Sequence, residues 1–107
     1  MNSESALVCN MNVFSPAQRE SHIRATTQLV QAIQHVKEVE LGYEFTFPNE
    51  EELIVGIAEF IANERLCCPF LTFTLNIPAS SETLSLALTG PIGTREFLQA
   101  EFDGAFR

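Results

Sequence analysis

The residues able to do chemistry in this chain are Cys9, His22, Glu64, Cys67 and Cys68, and the densest group of them is Glu64-Arg65-Leu66-Cys67-Cys68-Pro69-Phe70. On a helix, Cys67 and Cys68 fall three and four residues after Glu64, so both thiols can neighbour its carboxylate. Pro69 disfavours helical geometry at Cys68, which places the thiols at a helix C-terminus. There the macrodipole works against a thiolate, so a bare activated nucleophile is not what this context favours. A bound soft cation, or a protonated core thiol, fits it better. Thiolate with imidazole is a ligand set suited to zinc, copper(I) or a thiophilic heavy metal. Cys9, His22 and one or both of Cys67 and Cys68 would supply three or four ligands. Glu64 would add an oxygen ligand or orient the others. The spacing contains no C-x-x-C pair and matches no standard zinc ribbon.

Each residue also has an ordinary structural role open to it. Cysteine is among the most buried residue types, and a histidine on an apolar stripe is often a satisfied core residue. Glu64 can pair with Arg65, His22 or a backbone amide, and Arg65 reads as a solvated surface charge. What favours a site is that two ionisable residues lie on the apolar stripes of two different helices. Two further readings stay open. One is a thiol enzyme with a Cys nucleophile, His22 as base and Glu64 as orienter. The other is a non-catalytic ligand-binding or dimerisation module, with nine Phe available to line a pocket or an exposed sheet face.

The elements that must position these side chains follow from periodicity. With Ile57 at the centre of a wheel of about 100° per residue, Leu53, Ile54, Ile57, Ala58 and Ile61 fill one face, and Glu64 falls on that same face. Asn49 and Glu52 make an approximate capping box for this central helix. Ser15-Pro16 starts an earlier helix running to Ala32 or Gln34, with Leu29, Val30 and Ile33 on its stripe. Continuing that stripe backward reaches Thr26 and His22. Val36 to Glu40 and Tyr43 to Phe47 read as strands around Leu41-Gly42, and residues 70–77 and 83–89 as a second hairpin around Pro78-Ala79-Ser80-Ser81. Thr94 caps a last helix from Arg95 to Phe102, with Phe97, Leu98 and Phe102 docking on the sheet. Residues 1–5 read as disordered, and Ala6 to Cys9 as a short extended piece. The expected fold class is α+β, a two-layer sandwich of four mostly antiparallel strands with helices on one face, in the order helix, hairpin, helix, hairpin, helix.

With 107 residues the chain reads as a single domain, and 46% hydrophobic residues suffice for one core. Six basic against fourteen acidic residues give a net charge of −8, which argues against nucleic acid or an anionic membrane as partner. The expected partners are a small ligand or a metal ion, with a homodimer also open. No basic start and apolar core of a signal peptide is present, so the expected compartment is the cytoplasm, with all three cysteines reduced. Cys67 and Cys68 are poor candidates to bond each other, because adjacent Cα atoms lie only about 3.8 Å apart.

The stretch ERLCCPFLTFTL resembles the Glu-Arg-x-Cys-Cys-Pro-Phe-x-x-Phe core of a family of small, functionally uncharacterised bacterial proteins. Cys9, Pro16-x-x-Arg19-x-x-His22, Gly42-Tyr43-x-Phe45 and Leu88-Thr89-Gly90-Pro91-x-Gly93 with Phe97-Leu98 also resemble that pattern, which covers most of the chain. The Cys-Pro-Phe block also resembles blocks in proteins encoded near heavy-metal-responsive regulators. The resemblance implies that Cys9, His22, Glu64, Cys67 and Cys68 belong together, and it implies no activity.

Overall fold

A computed structural model describes residues 7–106. Four antiparallel strands form one open sheet: β1 (His35–Val39), β2 (Gly42–Pro48), β3 (Thr72–Asn76) and β4 (Thr83–Thr89), in the spatial order β1-β2-β4-β3. Three helices accompany them: α1 (Pro16–Ala32), α2 (Glu51–Cys67) and α3 (Thr94–Glu101). The chain order is helix, hairpin, helix, hairpin, helix, the α+β arrangement expected from periodicity. The two hairpins join through β2 and β4, with Phe45 opposite Leu86 and Phe47 opposite Leu84. Short 3₁₀ turns precede α1 at Met11–Val13 and close the described chain at Asp103–Phe106.

Strand alternation explains the layer structure. Tyr43, Phe45 and Phe47 on β2, and Leu84, Leu86 and Leu88 on β4, are buried beneath the helices. Their neighbours Glu44, Thr46, Ser85 and Ala87 point to the other face and stay half-buried. The helices contribute Leu29, Ile57, Phe60, Phe97 and Leu98 to one continuous core. Phe60 was missed by the helical wheel, which put Ala58 on the inner face. The structure exposes Ala58 and buries Phe60, so the buried line runs Ile57, Phe60, Glu64, Cys67, with Leu53 half-buried at its start.

Caps differ from expectation in two places. Ser15 caps α1 with a full capping box through Gln18. The first residue of α2 follows Glu50, not Asn49, and no side chain caps it. Asn49 is drawn away because its Nδ2 donates to the Ser81 carbonyl at 2.9 Å, tying the start of α2 to the β3–β4 turn. Thr94 is the first residue of α3 and not its cap. Its hydroxyl donates back to Pro91 O at 2.6 Å, while Gly93, at φ 99°, occupies the cap position.

Gly42 is needed for close approach. A Cβ there would sit 2.0 Å from the Leu88 carbonyl oxygen, so only glycine lets β2 pair with β4 at this register. The left-handed turn residue is Leu41 (φ 58°). Arg95 then fastens α3 to that corner, donating to the carbonyls of Val39 and Gly42. Of the expected extended piece from Ala6 to Cys9, Leu7 to Cys9 are irregular; Ala6 and the expected disorder of residues 1–5 lie outside the described residues.

Candidate metal centre

The site sits where the end of α2 meets the N-terminal segment and α1. The capping box of Ser15 fixes where α1 begins, and six residues later His22 faces inward, 6% exposed. Phe14 and Phe60 lie against its ring, with centroids 5.3 and 5.8 Å away. On α2, Glu64 is 3% exposed and Cys67 fully buried. Cys68 leaves helical geometry at φ −127°, ψ 69°, as Pro69 requires, and its N–H still donates to Glu64 O at 2.8 Å. The N-terminal segment is held against this end by the Asn10 N–H, which donates to Cys67 O at 2.8 Å, and by Arg19 Nε, which donates to Met11 O at 3.4 Å.

These elements bring all five expected residues to one place. His22 Nε2 lies 2.7 Å from Glu64 Oε1. The same oxygen lies 3.5 Å from Cys67 Sγ, and Oε2 lies 3.5 Å from Cys68 Sγ. Cys67 Sγ is 3.6 Å from Cys68 Sγ and 3.9 Å from Cys9 Sγ. Cys9, Glu64, Cys67 and Cys68 each offer a ligand atom within 4.8 Å of the others. His22 joins them through Glu64, as the group that orients the carboxylate, and stands outside that tight set. Its Nδ1 is buried and makes no hydrogen bond. The Nε2–H tautomer, donating to Glu64, leaves only a bare acceptor lone pair there. A groove of about 290 Å³ between α1 and α2, lined by Ser21, Glu59 and Asn63 among others, reaches His22 from outside.

Against the expectation that all three cysteines stay reduced, this structure pairs two of them. Cys9 and Cys68 form a disulfide, with Cα atoms 4.9 Å apart, and Cys67 is the free thiol. Adjacent Cα spacing excludes only the vicinal pair, and nothing local in the sequence records the path of the N-terminal segment that brings residues 9 and 68 together. In this form Cys68 has no hydrogen to give Glu64.

Burial first, and then the negative charge of Glu64, push the Cys67 thiol up to about 12. This is the opposite of nucleophile activation, and it agrees with the unfavourable helix-end dipole. His22 meets a carboxylate rather than a thiol. Glu101, at the end of α3, was not singled out in the sequence. Burial and then the charge of Glu64 hold its carboxyl above the ordinary range, and its own charge contributes to raising Cys67. Nothing in its spacing sets Glu101 apart from a solvated helix acid. The charge of Glu64 thus raises both the Glu101 carboxyl and the Cys67 thiol, a field that favours a cation.

No protein-family model, curated protein or solved structure matches this chain. Among the described residues, no helix is long and apolar enough to cross a membrane.

Proposed function

We propose that the chain, with its cysteines reduced, binds a soft or borderline-soft metal ion, zinc being the simplest occupant, through Cys9, Cys67, Cys68 and Glu64. One observation carries this reading: the four donor atoms lie within 4.8 Å of one another. A tetrahedral ion with Zn–S of about 2.3 Å and Zn–O of about 2.1 Å sets S···S edges near 3.8 Å and S···O edges near 3.6 Å. The 3.6 and 3.9 Å edges at Cys67, and the 3.5 Å sulfur–carboxylate edges, are already at that scale. Opening the Cys9–Cys68 bond and letting Cys9 move back would set the two remaining edges, from Cys9 to Cys68 and from Cys9 to Glu64. His22 would hold the carboxylate in place, as outer partners of metal ligands do. The cation would also relieve the mutual repulsion of Glu64, Glu101 and a thiolate at Cys67. In this proposal the likeness of the Glu64–Phe70 block to the bacterial family is a shared metal-site motif, and the working compartment is a reducing one.

The test is elemental analysis of protein purified under reduction, together with a free-thiol count and a zinc titration. The expected result is about one zinc per chain, lost in Cys67→Ser. Three free thiols with no zinc or mercury uptake would remove the reading.

A further inference from the structure

We infer that the Cys9–Cys68 disulfide and the cation are alternative occupants of the same pocket, so that small-molecule disulfides control loading. The inference rests on the cation reading above and adds its regulation. Two of the four donors, Cys9 and Cys68, are consumed when the bond forms. What remains is one thiol and one carboxylate, fewer protein ligands than the three that hold even an open zinc site. The bond and the ion therefore exclude each other by donor count.

The geometry also sets the order of events. Cys67 and Cys68 are fully buried, whereas Cys9 is partly exposed and lies on the irregular segment before α1. A low-molecular-weight disulfide, RSSR, therefore meets Cys9 first. The Cys9 thiolate attacks one sulfur, forming Cys9–S–S–R and releasing RS⁻. The Cys68 thiolate then attacks Cys9 Sγ, closing the Cys9–Cys68 bond and expelling the second RS⁻. Two thiolates are oxidised by two electrons, and one RSSR is reduced to two RS⁻. The cation leaves with those anions, or with water, once its sulfur ligands are gone. Cys67, 3.9 Å from Cys9 Sγ, keeps its thiol throughout.

The experiment loads the reduced 107-residue chain with zinc and adds oxidised glutathione. Zinc release is followed with a chromogenic chelator and the linkage mapped by mass spectrometry. We expect about one zinc released per chain, in step with a Cys9–Cys68 link. In Cys9→Ser, oxidised glutathione should leave both remaining thiols, Cys67 and Cys68, unmodified by thiol count over the time in which the wild type closes its bond, because the exposed entry thiol is gone. If protein carrying the mapped Cys9–Cys68 bond binds zinc as tightly as the reduced form, the gate is overturned and the cation reading stands. If the reduced protein with three free thiols takes up no zinc, both fall. The comparison of reduced with oxidised wild-type protein decides the matter even where Cys9→Ser folds poorly.

Discussion

His22 Nε2 lies 2.7 Å from Glu64 Oε1, joining residues 42 positions apart in sequence and both nearly inaccessible to solvent. This contact fastens α1 to α2 and aims the carboxylate at the sulfur atoms. It is an interaction that either residue alone would make costly, because a buried polar group without a partner loses its hydration and gains nothing.

Removing both partners should therefore cost less than the sum of the two single losses. His22→Ala and Glu64→Ala are each expected to destabilise by about 3 kcal/mol, partly through the orphaned partner. The double variant should fall short of the sum by at least about 1 kcal/mol. Urea denaturation of the four proteins measures this, and additive losses would mean that the pair is not coupled.

The disulfide should be the largest single covalent contribution to stability. With its ends 59 positions apart in sequence, loop-closure entropy gives about 4 kcal/mol. A reducing agent should lower the denaturation midpoint of the wild type and of Cys67→Ser alike. It should leave Cys9→Ser and Cys68→Ser unmoved. A midpoint indifferent to reduction in the wild type would contradict this.

Cys67 supplies a pH signature. Its thiol is raised to about 12, whereas in the unfolded chain it titrates near the ordinary 8.5. Between those values the unfolded state binds fewer protons than the folded one, so this group's contribution falls as pH rises. It is fully present below about pH 8.5 and lost progressively toward pH 12. In alkaline denaturation the wild type should lose stability more steeply than Cys67→Ser. Iodoacetamide should label native Cys67 slowly at pH 8, and faster in Glu64→Gln, where the neighbouring negative charge is gone. Rapid labelling of the native wild type would show that the thiol is not suppressed.

Much of this arrangement is legible in local pattern. Alternation at Tyr43, Phe45 and Phe47, the Ser15-Pro16 start and the Pro69 break each act over a few residues, and each yields its element. His22 and Glu64 stand out because they interrupt apolar stripes, and the structure sets them against one another. What local pattern does not carry is the path of residues 7–13, which depends on the hydrogen bond from Asn10 N–H to the distant Cys67 carbonyl and on that from Arg19 Nε to the Met11 carbonyl. Hence the Cys9–Cys68 pairing is unforeseen. Asn49 shows a related effect: its capping chemistry is real, but a tertiary partner at Ser81 competes for it. Glu101 acts through the field of the folded molecule, which has no sequence period at all.

Gly42→Ala should be among the most damaging single-methyl changes available. The added carbon would meet the Leu88 carbonyl at 2.0 Å, in backbone that cannot swing aside as a side chain would. A loss of about 3 kcal/mol is expected, with the β2–β4 register disturbed. Amide hydrogen exchange at β2 and β4 would detect it, and unchanged protection there would refute the close-packing argument.

The bond between Cys9 and Cys68 closes a ring through α1, β1, β2 and α2, and leaves β3, β4 and α3 outside it. Tension applied at the N-terminus of the oxidised chain passes straight across that bond to residue 68, and the ring itself bears no load. Mechanical unravelling, or threading into a degradative pore, must then begin by peeling β3 from β4, while the same pull on the reduced chain starts at α1. The redox state thus decides which half of the molecule yields first under force.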